Sequence, residues 1–211
     1  RPVHPNDHVN MSQSSNDTFP AAMHIAAALM LSGGLLPSVQ AMHAELERKA
    51  GEWDGIVKIG RTHLQDAVPM TLGQEFEAFA YNLGEEEARI NAACALLCEV
   101  NLGGTAIGTG INAPVGYGDI AVTELADISG LPVSQAGNLV EASYDMGAFV
   151  TFSSTLKRLA VKLSKLSNDL RLLSSGPRTG FNEIDLPAMQ PGSSIMPGKV
   201  NPVIPEAMTQ T

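Results

Sequence analysis

The sequence predicts an all-α protein, a bundle of long helices. Two features of the chain point there. Apolar residues from Phe149 to Leu173 recur three and four positions apart without a break, the period of a helix face packed in a bundle. Aromatics make up only 5% of the chain while Ala, Leu, Met and Ser abound, a composition suited to close helix packing rather than to strands. No period-two run of useful length accompanies them.

A first helix is expected near Asn16-Asp17, whose side chains suit a helix start, with Pro20 tolerable in the first turn. Its apolar face passes Phe19, Ala22, Ala26 and Leu29. Gly33-Gly34 and Pro37 should then kink or interrupt it before Val39 and Leu46. A second helix begins at Thr71, which with Gln74 forms a capping box behind Pro69. Its seam runs Leu72, Phe76, Phe79, Leu83, Ile90, Ala93 and Leu97. Glu86 interrupts that seam, as a buried carboxylate or a frayed stretch. The third helix is the Phe149 to Leu173 seam itself, stopped by Ser174-Ser175-Gly176-Pro177. Between the helices lie loops at 1–15, 54–70, 101–118 and 176–202, rich in Gly, Pro, Asn and Ser.

The chain has 211 residues, enough for one sizeable core, and a single domain over 1–211 is expected. Apolar residues at 44% against 17% charged describe a folded globular chain. The formal net charge of −9 disfavours nucleic acid and anionic membrane surfaces as partners. No charged-then-apolar leader and no uncharged apolar run approaching membrane-spanning length are found in this reading, so a cytoplasmic protein is expected. Arg1 is not an initiator Met and Thr211 follows no stop signal, so both ends read as cut. Cys94 and Cys98 have no second Cys/His pair beside them and read as reduced core thiols. His4 and His8 straddle Pro5 and Asn6, which argues against the helical spacing a metal pair needs. Gly108 to Ala113 formally fits a G-x-G-x-x-A pattern, but no strand is expected before it, so nucleotide binding is rejected.

Three polar clusters remain. Ser14-Ser15-Asn16-Asp17 is an ordinary helix cap by residue type, yet free amides and hydroxyls there also suit a carboxylate. Gly60-Arg61-Thr62-His63-Leu64-Gln65-Asp66 gathers hydrogen-bonding side chains around a histidine, with Thr62 and Gln65 placed to orient the ring. Pro191-Gly192-Ser193-Ser194-Ile195-Met196-Pro197-Gly198-Lys199-Val200-Asn201 is hinged by glycines and prolines. It is too apolar for a solvated linker, and it carries a cation and an amide at fixed spacing.

With His4-Pro5-Asn6-Asp7, these clusters resemble, in order and spacing, the signature segments of class II fumarases and aspartases in the fumarate lyase superfamily. The likeness covers essentially the whole chain, and its Gly192 to Asn201 segment is the most specific part. It implies a central helical domain in a homotetramer with active sites shared between subunits. It also implies reversible addition of water or ammonia to fumarate, without metal or organic cofactor. By position, the resemblance makes Ser193 the base, Lys199 and Asn201 the carboxylate and aci-carboxylate binders beside Ser194, and Thr62 and His63 neighbours of the leaving group. Glu206 would orient His63. Ser14, Ser15 and Asn16 would hold the dicarboxylate, and His4, Asn6 and Asp7 would form a secondary dicarboxylate site. The family's upstream Gly-Ser-Gly-Thr loop and its N- and C-terminal domains have no counterpart here.

Ser14-Ser15-Asn16 and Thr62-His63 resemble fumarases, which favours fumarate hydratase acting by anti elimination through an aci-carboxylate. Glu141 to Ala148 and Leu170 to Pro177 resemble aspartases, leaving aspartate ammonia-lyase as the alternative. A non-catalytic crystallin-like member or an inactive fragment is the remoter one.

Overall fold

A helix of 26 residues, α3 (Leu72–Leu97), carries most of the N-terminal core in the computed structural model, which describes residues 2–211. Thr71 caps it, accepting from the Gln74 amide at 3.0 Å while the Gln74 side chain accepts from the Thr71 amide, also at 3.0 Å. Leu72, Phe76, Phe79, Leu83, Ile90, Ala93 and Leu97 are all buried, as their spacing predicts. Glu86 lies fully buried inside an unbroken helix, so the interruption of the seam is a buried carboxylate and not a frayed stretch.

Against α3 pack α1 (Ser15–Met30) and α2 (Leu36–Glu52). The expected break at Gly33-Gly34 is instead a π-helical turn, Leu31–Leu35, that joins α1 to α2. One inserted residue per turn absorbs the misfit there while the helix continues. The same run contradicts the expectation about membrane-spanning length. Ser15–Glu52 contains an 18-residue window of mean hydropathy 1.6, long and apolar enough to cross a membrane by length and composition. Here Ala21, Ala28, Leu31, Val39 and Leu46 are buried, and both helices pack against α3.

The 54–70 loop is also corrected. Val57–Thr62 (β1) and Gln65–Thr71 (β2) form an antiparallel hairpin, with β2 carrying one extra residue opposite Gly60. Lys58 of β1 forms an ion pair with Glu75 of α3, pinning the hairpin to the helix. Trp53 packs edge-on to Phe76, ring centroids 4.7 Å apart, at the end of α2. Beyond α3 come a two-residue strand β3 (Glu99–Val100), α4 (Tyr117–Ser129), a second short strand β4 (Ser134–Gln135) parallel to β3, and α5 (Leu139–Ala142). Cys94 and Cys98 are free thiols. Burial of Cys98, and Cys94 beside it, push the Cys98 thiol above its ordinary range.

The last long helix, α6 (Gly147–Leu173), ends where Ser174 to Pro177 predicts. The chain divides into two compact units, Arg1–Thr155 and Leu156–Thr211. In the second, Leu159, Leu166 and Leu173 are buried at seven-residue intervals, whereas Leu156 and Val161 stay exposed. A short α7 (Val203–Gln210) closes the chain.

Ile90 has no exposed surface at the centre of α3. Ile90→Ala should destabilise the fold by about 2–5 kcal/mol, read as a lower urea midpoint with an unchanged slope.

Candidate active site

The start of α1 is an N-cap built twice over. Ser14 accepts from the Asn16 amide at 3.1 Å, and Asp17 Oδ1 accepts from the Ser14 amide at 2.9 Å. The helix therefore begins one residue earlier than Asn16. Ser15 and Asn16 are exposed and Ser14 half-buried, so all three are presented at the positive end of the helix dipole. The Asn16 side chain already has a partner: its Nδ2 donates to the Ala106 carbonyl at 2.8 Å. Burial, and behind it the Asp17 carboxylate, push the Tyr117 phenol above its usual value.

The loop that receives Asn16 is the glycine-rich stretch with the G-x-G-x-x-A pattern. A Cβ on Gly108 would lie 2.3 Å from the Leu139 carbonyl oxygen. Close packing against its own chain thus accounts for the glycine.

Thr62 and His63 sit at the tip of the β1–β2 hairpin. Thr62 pairs with Gln65 across the ladder, which leaves His63 and Leu64 as the two-residue turn. Both adopt positive φ, 52° and 63°. A turn of this shape ordinarily uses Asn-Gly, because larger residues are strained in it. His63 is exposed at the hairpin tip.

In the second unit, the Ser193 to Gly198 loop is pinched at its base. Gly192 lies so close to Lys199 that a Cβ would meet the Lys199 carbonyl oxygen at 1.9 Å. Asn201 Nδ2 donates to the Gly192 carbonyl at 3.3 Å. Ser193 Oγ accepts from the Ile195 amide at 3.3 Å, a short turn that holds the hydroxyl near the neck. Beside the neck opens a cavity of about 790 Å³ lined by Arg171, Asp185, Met196, Lys199 and Asn201, among others. Two cations and one carboxylate leave it net positive, suited to an anionic ligand. Ser194 and Lys199 are exposed, and Glu206 lies exposed in the first turn of α7.

His4, Asn6 and Asp7 share one exposed turn. Pro5 does not break it: Pro5–Val9 is a π-helical turn with Pro at its start and His4 as its cap. Non-helical spacing was expected for His4 and His8, and this turn overturns it. The His4 Nδ1 accepts from the Asp7 amide at 3.2 Å, and His8 Nδ1 accepts from the His4 amide at 2.9 Å.

Arg171 was not among the sequence candidates, and Asp17 stood there only as part of the Ser14 to Asp17 helix cap. Arg171 stands in the run Leu170-Arg171-Leu172-Leu173, a charge within an apolar helix end. That position was a usable signal. Asp17 fits the fourth position of a capping box, so its residue type alone never distinguished it from a solvated cap.

By comparison with known proteins, this helical chain belongs to the lyases. The family model described as Lyase matches residues 1–211, and the chain belongs to the fumarase/aspartase family of the fumarate lyase superfamily. It is 62% identical over 209 residues to an aspartate ammonia-lyase of Pseudomonas fluorescens, covering 99% of this chain and 44% of that one. It is 54% identical over 209 residues to a class II fumarate hydratase of Ralstonia nicotianae, covering 99% and 45%. Among solved structures, the fumarate lyase:delta crystallin of Brucella melitensis bound to cobalt matches with a TM-score of 0.94 and 60% identity, over 99% of this chain and 45% of that one. The recombinant class II fumarase of Schistosoma mansoni matches with a TM-score of 0.95 and 40% identity, over 99% and 47%. The chain spans less than half the length of the curated relatives it matches.

Gly192→Ala should force the loop neck apart. Trypsin should then cut after Lys199 faster than in the parent protein while the melting temperature changes little. Equal cleavage rates would discount the neck contact.

Proposed function

We propose that the protein is a fumarate-forming lyase acting on a four-carbon dicarboxylate, and that its reaction is the reversible dehydration of L-malate. The observation that carries this reading is the net-positive cavity beside the Ser193 loop, where Lys199, Arg171 and Asn201 meet. A carbon acid next to a carboxylate is weak. Its removal needs fixed positive charge where the second negative charge develops.

In this reading Ser193 Oγ takes the proton from the carbon beside one carboxylate. The electron pair moves into that carboxylate, giving the doubly charged aci form against Lys199 and Asn201. The pair then returns to form the double bond as the carbon–oxygen bond breaks on the opposite face. The departing hydroxyl leaves as water, protonated on the Thr62-His63 side, with Glu206 orienting His63. Ser14, Ser15, Asn16 and Ser194 hold the dicarboxylate, and His4, Asn6 and Asp7 form a secondary dicarboxylate site. A serine base needs donors that lower its pKa, which is why a closed loop is part of the proposal.

The assembly in this proposal is a cytoplasmic homotetramer whose active sites combine residues from different subunits. Exposed Val150 and Val161, which share one face of α6, support an apolar interface along that helix.

Water is the preferred leaving group because the segments assigned to the dicarboxylate, Ser14-Ser15-Asn16, and to the leaving group, Thr62-His63, both resemble those of fumarases. A second reading, ammonia release from L-aspartate, is supported by the 62% identity to an aspartate ammonia-lyase against 54% to a fumarate hydratase. Whole-chain identity averages many positions remote from substrate, which gives it less weight here.

Fumarate absorbance separates the two. Release from L-malate but not L-aspartate is the expected result, and the reverse would replace water with ammonia. Ser193→Ala should lower kcat at least about a hundredfold. A folded protein inactive on both substrates would favour a non-catalytic, crystallin-like role.

A further inference from the structure

The hydroxyls and amide of Ser14 to Asn16 are useful to a ligand only if the start of α1 is held still. Its anchor is a side chain that the proposed chemistry does not use. Asp17 has no exposed surface. Its Oδ1 accepts from the Ser14 amide at 2.9 Å, and its Oδ2 accepts from the amides of Gly103 at 3.2 Å and Thr105 at 3.0 Å. Two further ties join the same pair of segments: Asn16 Nδ2 to the Ala106 carbonyl at 2.8 Å, and Asn101 Nδ2 to the Asn16 carbonyl at 3.0 Å.

The receiving loop is itself tightly constrained. Gly103 has φ of 95° and Thr105 has φ of 57°. A Cβ on Gly103 would lie 2.6 Å from Gly118 Cα, so the loop is wedged against α4. Three N–H groups thus converge on the two oxygens of one buried side chain, one from the candidate ligand-binding segment and two from a rigid platform.

We propose that Asp17 is a positioning residue for the dicarboxylate site, locking Ser14, Ser15 and Asn16 to the Gly103–Ala106 platform so that they meet the ligand already ordered. The inference rests on the reading that these three residues hold the dicarboxylate. Preordering removes a cost that binding would otherwise carry. Asparagine cannot replace the aspartate, because it offers one acceptor oxygen and turns an NH2 toward an N–H donor. Contacts to a carboxylate that does not change during the reaction act equally on ground and transition states, so loosening them raises KM and leaves kcat nearly alone.

Asp17→Asn is tested by calorimetric titration with succinate, an unreactive four-carbon dicarboxylate, and by steady-state kinetics on the better of malate and aspartate. Succinate binding should weaken about tenfold, KM should rise by a similar factor, and kcat should stay within about threefold. Succinate binding equal to that of the parent protein would overturn the role of Asp17. So would a fall in kcat at constant KM, the signature of fewer folded molecules. If Asp17→Asn does not fold, Asn101→Ala carries the test, since it removes another tie between the same segments. It should weaken succinate binding about threefold with kcat retained, and unchanged binding would overturn the proposal. A parent protein that binds no succinate and turns over neither substrate would instead overturn the assignment of Ser14 to Asn16 beneath it.

Discussion

A carboxylate with no access to water must have its oxygens met by donors, and Asp17 meets that demand with backbone amides from two distant parts of the chain. The arrangement fixes where α1 begins, which loop lies beneath it, and how the glycine-rich segment folds. Because α1 continues through a π turn into α2, and both pack on α3, the same contact ties the candidate ligand-binding segment to the apolar core. Polar and apolar parts of the first unit therefore share one reference point.

Where local chemistry and long-range packing agreed, the fold was legible in the sequence. Thr71 and Gln74 form their capping box because both requirements lie within four residues, and the seam behind them repeats at helical spacing. The α6 seam ends at Ser174 to Pro177 for equally local reasons. The hairpin was missed because its strands lack alternation, because Gly60 and Pro69 look like loop residues, and because His63-Leu64 is an atypical turn pair. Tertiary support from the Lys58–Glu75 pair stands in for the missing local signal. At Gly33-Gly34 the error ran the other way. Glycine lowers helix propensity but also permits a π turn, and packing on α3 favoured continuation.

For the candidate site, residue types told more than positions. Gly192 to Asn201 shows a hydroxyl, a cation and an amide by residue type alone. Arg171 joins that loop's cavity from α6, a neighbour that only folding brings near. Burial of Asp17 is likewise a property of the folded chain. An N-cap aspartate and a buried anchor look the same in one dimension.

The pinched neck at Gly192 and Lys199 has an engineering consequence. A loop whose two feet already touch has the cost of joining its ends settled locally, so its closure depends weakly on what lies between them. The tip beyond the two serines, Ile195 to Gly198, can thus be treated as an exchangeable cassette. Alternative tips of similar length can be grafted between the same feet while α7, which starts at Val203, keeps its place.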